Sequence, residues 1–223
     1  DPPRPDHAGA HPSFTRGLVE MLSIRALRPI LPLALVGYGV VISMRGLWIA
    51  PFLAEVHGFG KAELGHAALV MGFAMATGSL VYGPIERLVG APKPLVLAGT
   101  LVAAGALAAL GLSIEIRPAF VVALLGLMGA AGSTYALIMA HARAFIPTQL
   151  LGRGITFMNF MFMGGGGLAQ WLSGRFVQWA GTAGLPAAAT YGRLQLGFAI
   201  VLLAAALIYA LAPSRPKPLP QQA

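Results

Sequence analysis

Cysteine is absent from the 223 residues. That excludes a disulfide framework, a thiolate zinc site, an iron–sulfur cluster and a thiol nucleophile. Charge is scarce as well. Asp, Glu, Lys and Arg make up 10% of the chain, against about 25% in a soluble domain. So few charges do not cover a water-facing surface, which argues against a soluble enzyme. The seven acidic residues offer no carboxylate pair placed for acid–base catalysis. No HExxH ligand helix occurs: His7 and His11 lie in the N-terminal tail, His57 and His66 flank one connection, and His141 ends an apolar block. The first 28 residues lack the apolar core of a signal peptide. From these residues neither a metal, nor an organic cofactor, nor an enzyme is expected.

Hydrocarbon is abundant. Hydrophobic residues make up 57% of the chain, and its mean hydropathy is +0.76. A membrane-crossing helix needs about 20 mostly apolar residues. Six blocks qualify, at residues 30–53, 64–85, 95–114, 119–140, 155–179 and 194–212. They are apolar nearly all round, without the polar stripe of a soluble core helix or the period-two alternation of a barrel strand. The expected fold is an all-α polytopic membrane protein with six transmembrane helices in residues 29–212. Residues 13–28 read as a short amphipathic helix on the membrane surface. Residues 1–12 and 213–223 read as disordered tails.

The net charge of +8 does not point to nucleic acid, because the basic residues are dispersed between apolar blocks rather than gathered in a patch. Their distribution gives orientation instead. Arg4, Arg16, Arg25, Arg28, Arg87, Lys93, Arg143, Arg153, Arg215 and Lys217 fall on one side of the six blocks. Lys61, Arg117, Arg175 and Arg193 fall on the other. Both termini are therefore expected in the cytoplasm, with the chain integral to an inner (plasma) membrane.

Polar residues inside a membrane tend to face protein or water. They concentrate in the first block (Tyr38, Ser43, Arg45, Trp48), the second (Thr77, Ser79, Tyr82), the fourth (Ser133, Thr134, Tyr135) and the fifth (Thr156, Asn159, Gln170). Those four are expected to line a polar path, with the third and sixth as supports. At 100° per residue Tyr38 shares a face with Arg45, and Asn159 shares one with Met163, Gly166 and Gln170. Arg45 stands past the midpoint of its block. It needs an anion, a carboxylate or a wet cavity, and no acidic residue lies mid-block. The alternative is a guanidinium bonded to backbone carbonyls or reaching outward. Candidate substrate-binding residues are Arg45, Tyr38, Trp48, Tyr135, Asn159 and Gln170. The run Gly164–Gly167 reads as close helix packing. Met71 and Met75, with Met158, Met161 and Met163, admit a Cu(I) site, although Met also fills apolar gaps.

Three stretches resemble the C-terminal six-helix half of the major facilitator superfamily, and the resemblance covers residues 25–212. Residues 45–58, RGLWIAPFLAEVHG, resemble the end of that family's seventh helix. Residues 83–93, GPIERLVGAPK, are similar to its Gly-rich loop between helices eight and nine; Gly83 and Gly90 keep the spacing, and Glu86 and Arg87 supply the charge pair. Residues 150–174 resemble helix eleven with its Gly-rich middle. The resemblance implies a three-plus-three inverted repeat, alternating access and a missing N-terminal six-helix half. It makes residues 1–28 a central cytoplasmic loop and gives Gly83, Glu86, Arg87 and Gly90 a gating role. The function it implies is a secondary transporter of a small solute, with an anion favoured by Arg45. The competing expectations are a six-helix membrane scaffold or assembly factor and a Met-lined copper transporter.

Overall fold

The computed structural model describes residues 14–113 and 117–214. The expected N-terminal tail and most of the C-terminal one lie outside that range. Among the described residues every regular element is helical: α1 (Phe14–Ser23), α2 (Leu31–Ser43), α3 (Ile49–His57), α4 (Lys61–Val89), α5 (Pro92–Leu112), α6 (Pro118–Gly132), α7 (Tyr135–Arg143), α8 (Leu151–Thr182) and α9 (Ala187–Ala210). Proline stands in the first turn of α2, α5 and α6, where its missing N–H costs nothing. Gly58 and Gly90 close α3 and α4 in the left-handed conformation, with φ of 70° and 72°, a backbone that residues with a Cβ resist.

Five spans are long and apolar enough to cross a membrane: Leu31–His57, Lys61–Val89, Pro92–Leu112, Pro118–Arg143 and Ala187–Ala210. Among the described residues, five of the six expected blocks thus meet the length and hydropathy of a membrane span. The fifth block does form a helix, α8, of 32 residues, which at 1.5 Å per residue is about 48 Å. Its glycines, Asn159 and Gln170 dilute its hydropathy below that of the others. A correction concerns residues 83–93. Gly83 to Val89 belong to the last turns of α4, and only Gly90 and Ala91 separate it from α5. The motif read as a loop is mostly a helix end, and its Gly90 N–H donates to the Glu86 carbonyl at 2.7 Å.

The helices pair in a pattern that survives exchanging the first three spans with the last three. Span one packs along α8, and α4 packs along α6 of span four. Span three packs along α9, its own counterpart, while α5 meets α6 as α2 meets α9. Each cross-pair closes at glycine. A Cβ on Gly165 would fall on the Leu35 backbone carbonyl, and one on Gly78 on the Ala130 carbonyl. Small residues of this kind let membrane helices touch backbone to backbone. The two core clusters divide instead by level along the helices, since α2, α5 and α9 contribute to both. One gathers Trp48, Phe52, Met71, Leu125 and Phe198; the other gathers Leu27, Leu33, Ile138, Phe162 and Tyr209.

The end holding Lys93 and Pro213 is tied by polar contacts. Buried His141 accepts at Nδ1 from the Tyr209 hydroxyl at 2.6 Å and donates from Nε2 to the Pro213 carbonyl at 2.9 Å. The carbonyl can only accept, so it requires the proton on Nε2. Lys93 donates to the Ala210 and Ala212 carbonyls at 2.8 and 2.6 Å, satisfying the open end of α9. Pro213 is thus held against the bundle, against the expectation that the tail begins there. The amphipathic segment is helical only over Phe14–Ser23. Its Met21 is buried, and Glu20 accepts from Arg153 of α8 at 3.1 Å. The segment docks on the bundle as well as presenting exposed Val19 and Leu22 outward.

The glycine run separates on this basis. Gly165→Ala drives a methyl into backbone that cannot turn aside and is expected to cost about 1–3 kcal/mol or more. At Gly164 and Gly167 an added Cβ meets nothing within 4 Å, and alanine there leaves stability unchanged or slightly raised. Thermal unfolding in detergent distinguishes them; equal behaviour of the three variants sinks the assignment.

Candidate functional site

Span one and span four are both broken midway, and each break carries a candidate residue. In span one a π-helical turn, Met44–Trp48, replaces α-helix, and Arg45 sits in it. Ile49 N–H bonds back to the Met44 carbonyl across the wider turn, so no backbone partner is lost. A π turn inserts an extra residue and rotates the helix beyond it. Tyr38 and Arg45 consequently part company. Tyr38 turns toward α7 and α8, while a guanidinium nitrogen of Arg45 lies 3.7 Å from where a Cβ on Gly72 of α4 would stand. Arg45 is exposed and forms no hydrogen bond or ion pair among the described residues. The backbone-carbonyl alternative is thus not realised among them.

In span four the helix stops at Gly132 and restarts at Tyr135. The carbonyls freed by the break find other partners. Gly132 accepts from Thr134 N–H at 2.8 Å, and Ala131 accepts from the Tyr82 hydroxyl of α4 at 2.6 Å. Tyr82 is therefore a brace for the break. Buried Ser133 donates to Gly129 at 2.7 Å and buried Ser43 to Gly39 at 2.6 Å. Hydroxyls satisfied four residues back on their own helix present little to a solute.

Tyr38, Tyr135 and Phe162 meet edge-on in a triangle with centroids 6.0–6.3 Å apart. Tyr135, at the restart of span four, is 47% exposed, whereas Phe162 is buried. A Cβ on buried Gly166 would stand 3.9 Å from the Tyr38 ring, so Gly166 does not share the open side with Asn159 and Met163, both exposed. Half-buried Gln170 follows Gly166 by one turn and precedes by one turn the Ser173 that holds Trp48. That puts it level with the π turn bearing Arg45. Ascending α8, the order is Asn159, the aromatic triangle, then the level of Gln170 and Arg45.

Trp48 stands apart. It is 7% exposed, its Nε1–H donates to Ser173 Oγ at 2.8 Å, and its ring tilts against Tyr191 at 6.2 Å. It locks the π turn onto α8 and α9. The four residues given a gating role are not gathered with the others. Gly83 has open space around it, and Glu86 and Arg87 lie in the final turns of α4. The two methionine groups are also separate, Met71 and Met75 in one core cluster, Met158 and Met161 in the other. No group of three His, Asp or Glu side chains suited to a metal occurs among the described residues.

One residue of the site carries no signal that the sequence alone reveals. Phe162 looks like one apolar residue among many, and only the crossing of α2, α7 and α8 makes it the centre of the triangle. Gly72 faces Arg45 across the helix pair, but a Cβ there would stand at ordinary contact distance, 3.7 Å, from the guanidinium. Gln195 is a different surprise: it is 1% exposed, and neither amide atom has a hydrogen-bond partner among the described residues. Comparison with known protein families, curated proteins and solved structures returns no match.

The role given to Trp48 is testable apart from any ligand. Ser173→Ala leaves a buried indole N–H unpaired and is expected to cost about 1–3 kcal/mol. Trp48→Phe on that background removes the orphan and returns part of the loss. A double-mutant cycle by thermal unfolding measures the coupling; strictly additive effects mean that the bond contributes nothing.

Proposed function

We propose that the chain is one six-helix half of a secondary transporter of the major facilitator type, with a three-plus-three inverted repeat, and that it moves a small solute by alternating access. The observation that carries this reading is Arg45. It occupies a π turn midway along an apolar span, opens beside Gly72 and has no partner among the described residues. Irregular helix in a membrane is tolerated where it lines a cavity or is covered by protein, and ionisable residues there mark solute paths. The pairing that survives exchange of the two triplets supports the inverted repeat. The breaks in spans one and four fall at corresponding places in the two triplets. An anion is the favoured solute class, since a guanidinium fork matches carboxylate and phosphate.

Arg45 supplies the charge, and Tyr38 and Tyr135 of the aromatic triangle, with Asn159 and Gln170 of α8, supply polar groups at successive levels of the proposed path. A second six-helix half closes the open face of α4 and α8. Both termini face the cytoplasm in this reading.

In the full-length transporter, with uptake of small carboxylates, phosphate and sulfate into proteoliposomes as the assay, Arg45→Ala is expected to abolish uptake of the accepted anion with expression near normal. Arg45→Lys recovers little, because a point charge does not replace the fork. Unchanged uptake in the alanine variant hands Arg45 a structural role. Orientation is measured separately. A cytoplasm-dependent reporter fused after Ala223 is expected to be active, and activity of a periplasm-dependent reporter at that position reverses the topology.

A further inference from the structure

Span one, α8 and α9 do not close on one another completely. α8 and α9 each pack on α2, but they touch each other far less, and a crevice of about 250 Å³ opens between them over α2. Its floor is Leu35, Val36 and Val40, and Leu168 and Leu172 of α8 face Phe198 and Val201 of α9. Gly197 lines the slot, and a Cβ there would meet nothing within 4 Å. Ser173 is the one uncharged polar side chain in the lining, and it is occupied by Trp48. A polar solute finds no partner along these walls.

Arg193 also lines the crevice, one turn before Gly197. It is exposed and makes no hydrogen bond or ion pair among the described residues. It lies six residues into α9, whose first residue is Ala187, so its long stem can carry the guanidinium up to the membrane surface. From Arg193 to Val201 is eight residues, or about 12 Å of helix, all of it lined by hydrocarbon. A cation at the mouth and a narrow apolar slot running inward from it match the two parts of a phospholipid.

The geometry points to a binding site for one phospholipid of the surrounding bilayer. Its phosphate sits on Arg193, and one acyl chain lies between α8 and α9 across Gly197. A guanidinium takes phosphate oxygens in a fork. The chain fills a slot that would otherwise forfeit packing contacts on both walls. A phosphatidylglycerol-type headgroup is preferred, because its phosphate has no ammonium group of its own to compete with the arginine. The site requires only that the bundle span a bilayer. It does not depend on transport, and an absence of uptake leaves it untouched.

The test uses the full chain purified in mild detergent and native mass spectrometry. Phosphatidylglycerol, phosphatidylcholine of the same acyl chains and inorganic phosphate are added in turn. One retained phosphatidylglycerol adduct is expected, in excess over phosphatidylcholine and not displaced by inorganic phosphate. Arg193→Gln is expected to lower its retention roughly tenfold, the loss of one charge-assisted contact. Gly197→Phe fills the slot and is expected to remove the adduct. Its ring enters open space, so circular dichroism and gel filtration should match the parent chain. Equal retention by the parent and a folded Gly197→Phe variant overturns the site. So does equal binding of the two lipids, which means a non-selective annulus, or displacement by inorganic phosphate, which means an anion site without a lipid.

Discussion

Backbone contact between helices at glycine is the interaction on which the rest of this structure depends. In an apolar solvent, hydrophobic burial does not drive helices together, because lipid tails are as apolar as leucine. Close packing must do so, and it needs small residues at the crossing. Gly39 and Gly165 bring span one against α8, and Gly78 brings α4 against span four. With those distances set, Trp48 reaches Ser173, Tyr82 reaches the Ala131 carbonyl, and Tyr38, Tyr135 and Phe162 come into contact.

The same constraint explains where the polar groups are. Hydroxyls within the spans are bonded to carbonyls on their own helices, as at Ser43, Ser79, Ser133 and Thr156. Carbonyls released where span four breaks are taken up by Thr134 and Tyr82. Buried Gln195 is left without a partner among the described residues, and two arginines within the helices are informative. Arg45 and Arg193 are charges without partners among the described residues. One is mid-span beside an open helix face, and the other is near the entry of α9 at the mouth of an apolar slot. The two depths are the ground on which a solute is proposed for the first and a lipid headgroup for the second.

Helical class, span positions and the prominence of Arg45 were all legible from the chain. Apolar runs about 20 residues long leave the backbone no partner but itself, so they become helices wherever they pack. Helix ends were legible only roughly. Residues 83–89 look like a loop because Gly and Pro are breakers in water, yet α4 continues through Pro84 to Val89. In the fifth block the glycines and amides lower the hydropathy without preventing a helix.

Face assignments were not legible, because a uniform helical wheel assumes uniform helix. The π turn at Met44–Trp48 rotates Arg45 away from Tyr38, and no residue in that turn announces it. Gly164 to Gly167 are identical letters, and only the crossing with α2 makes Gly165 indispensable and leaves Gly164 and Gly167 open. Local composition thus determined that the chain forms long apolar helices and that Arg45 is out of place in one of them. Tertiary packing decided which side chains meet, because a contact between helices depends on the rotation and crossing of both, and neither is written in the sequence of one.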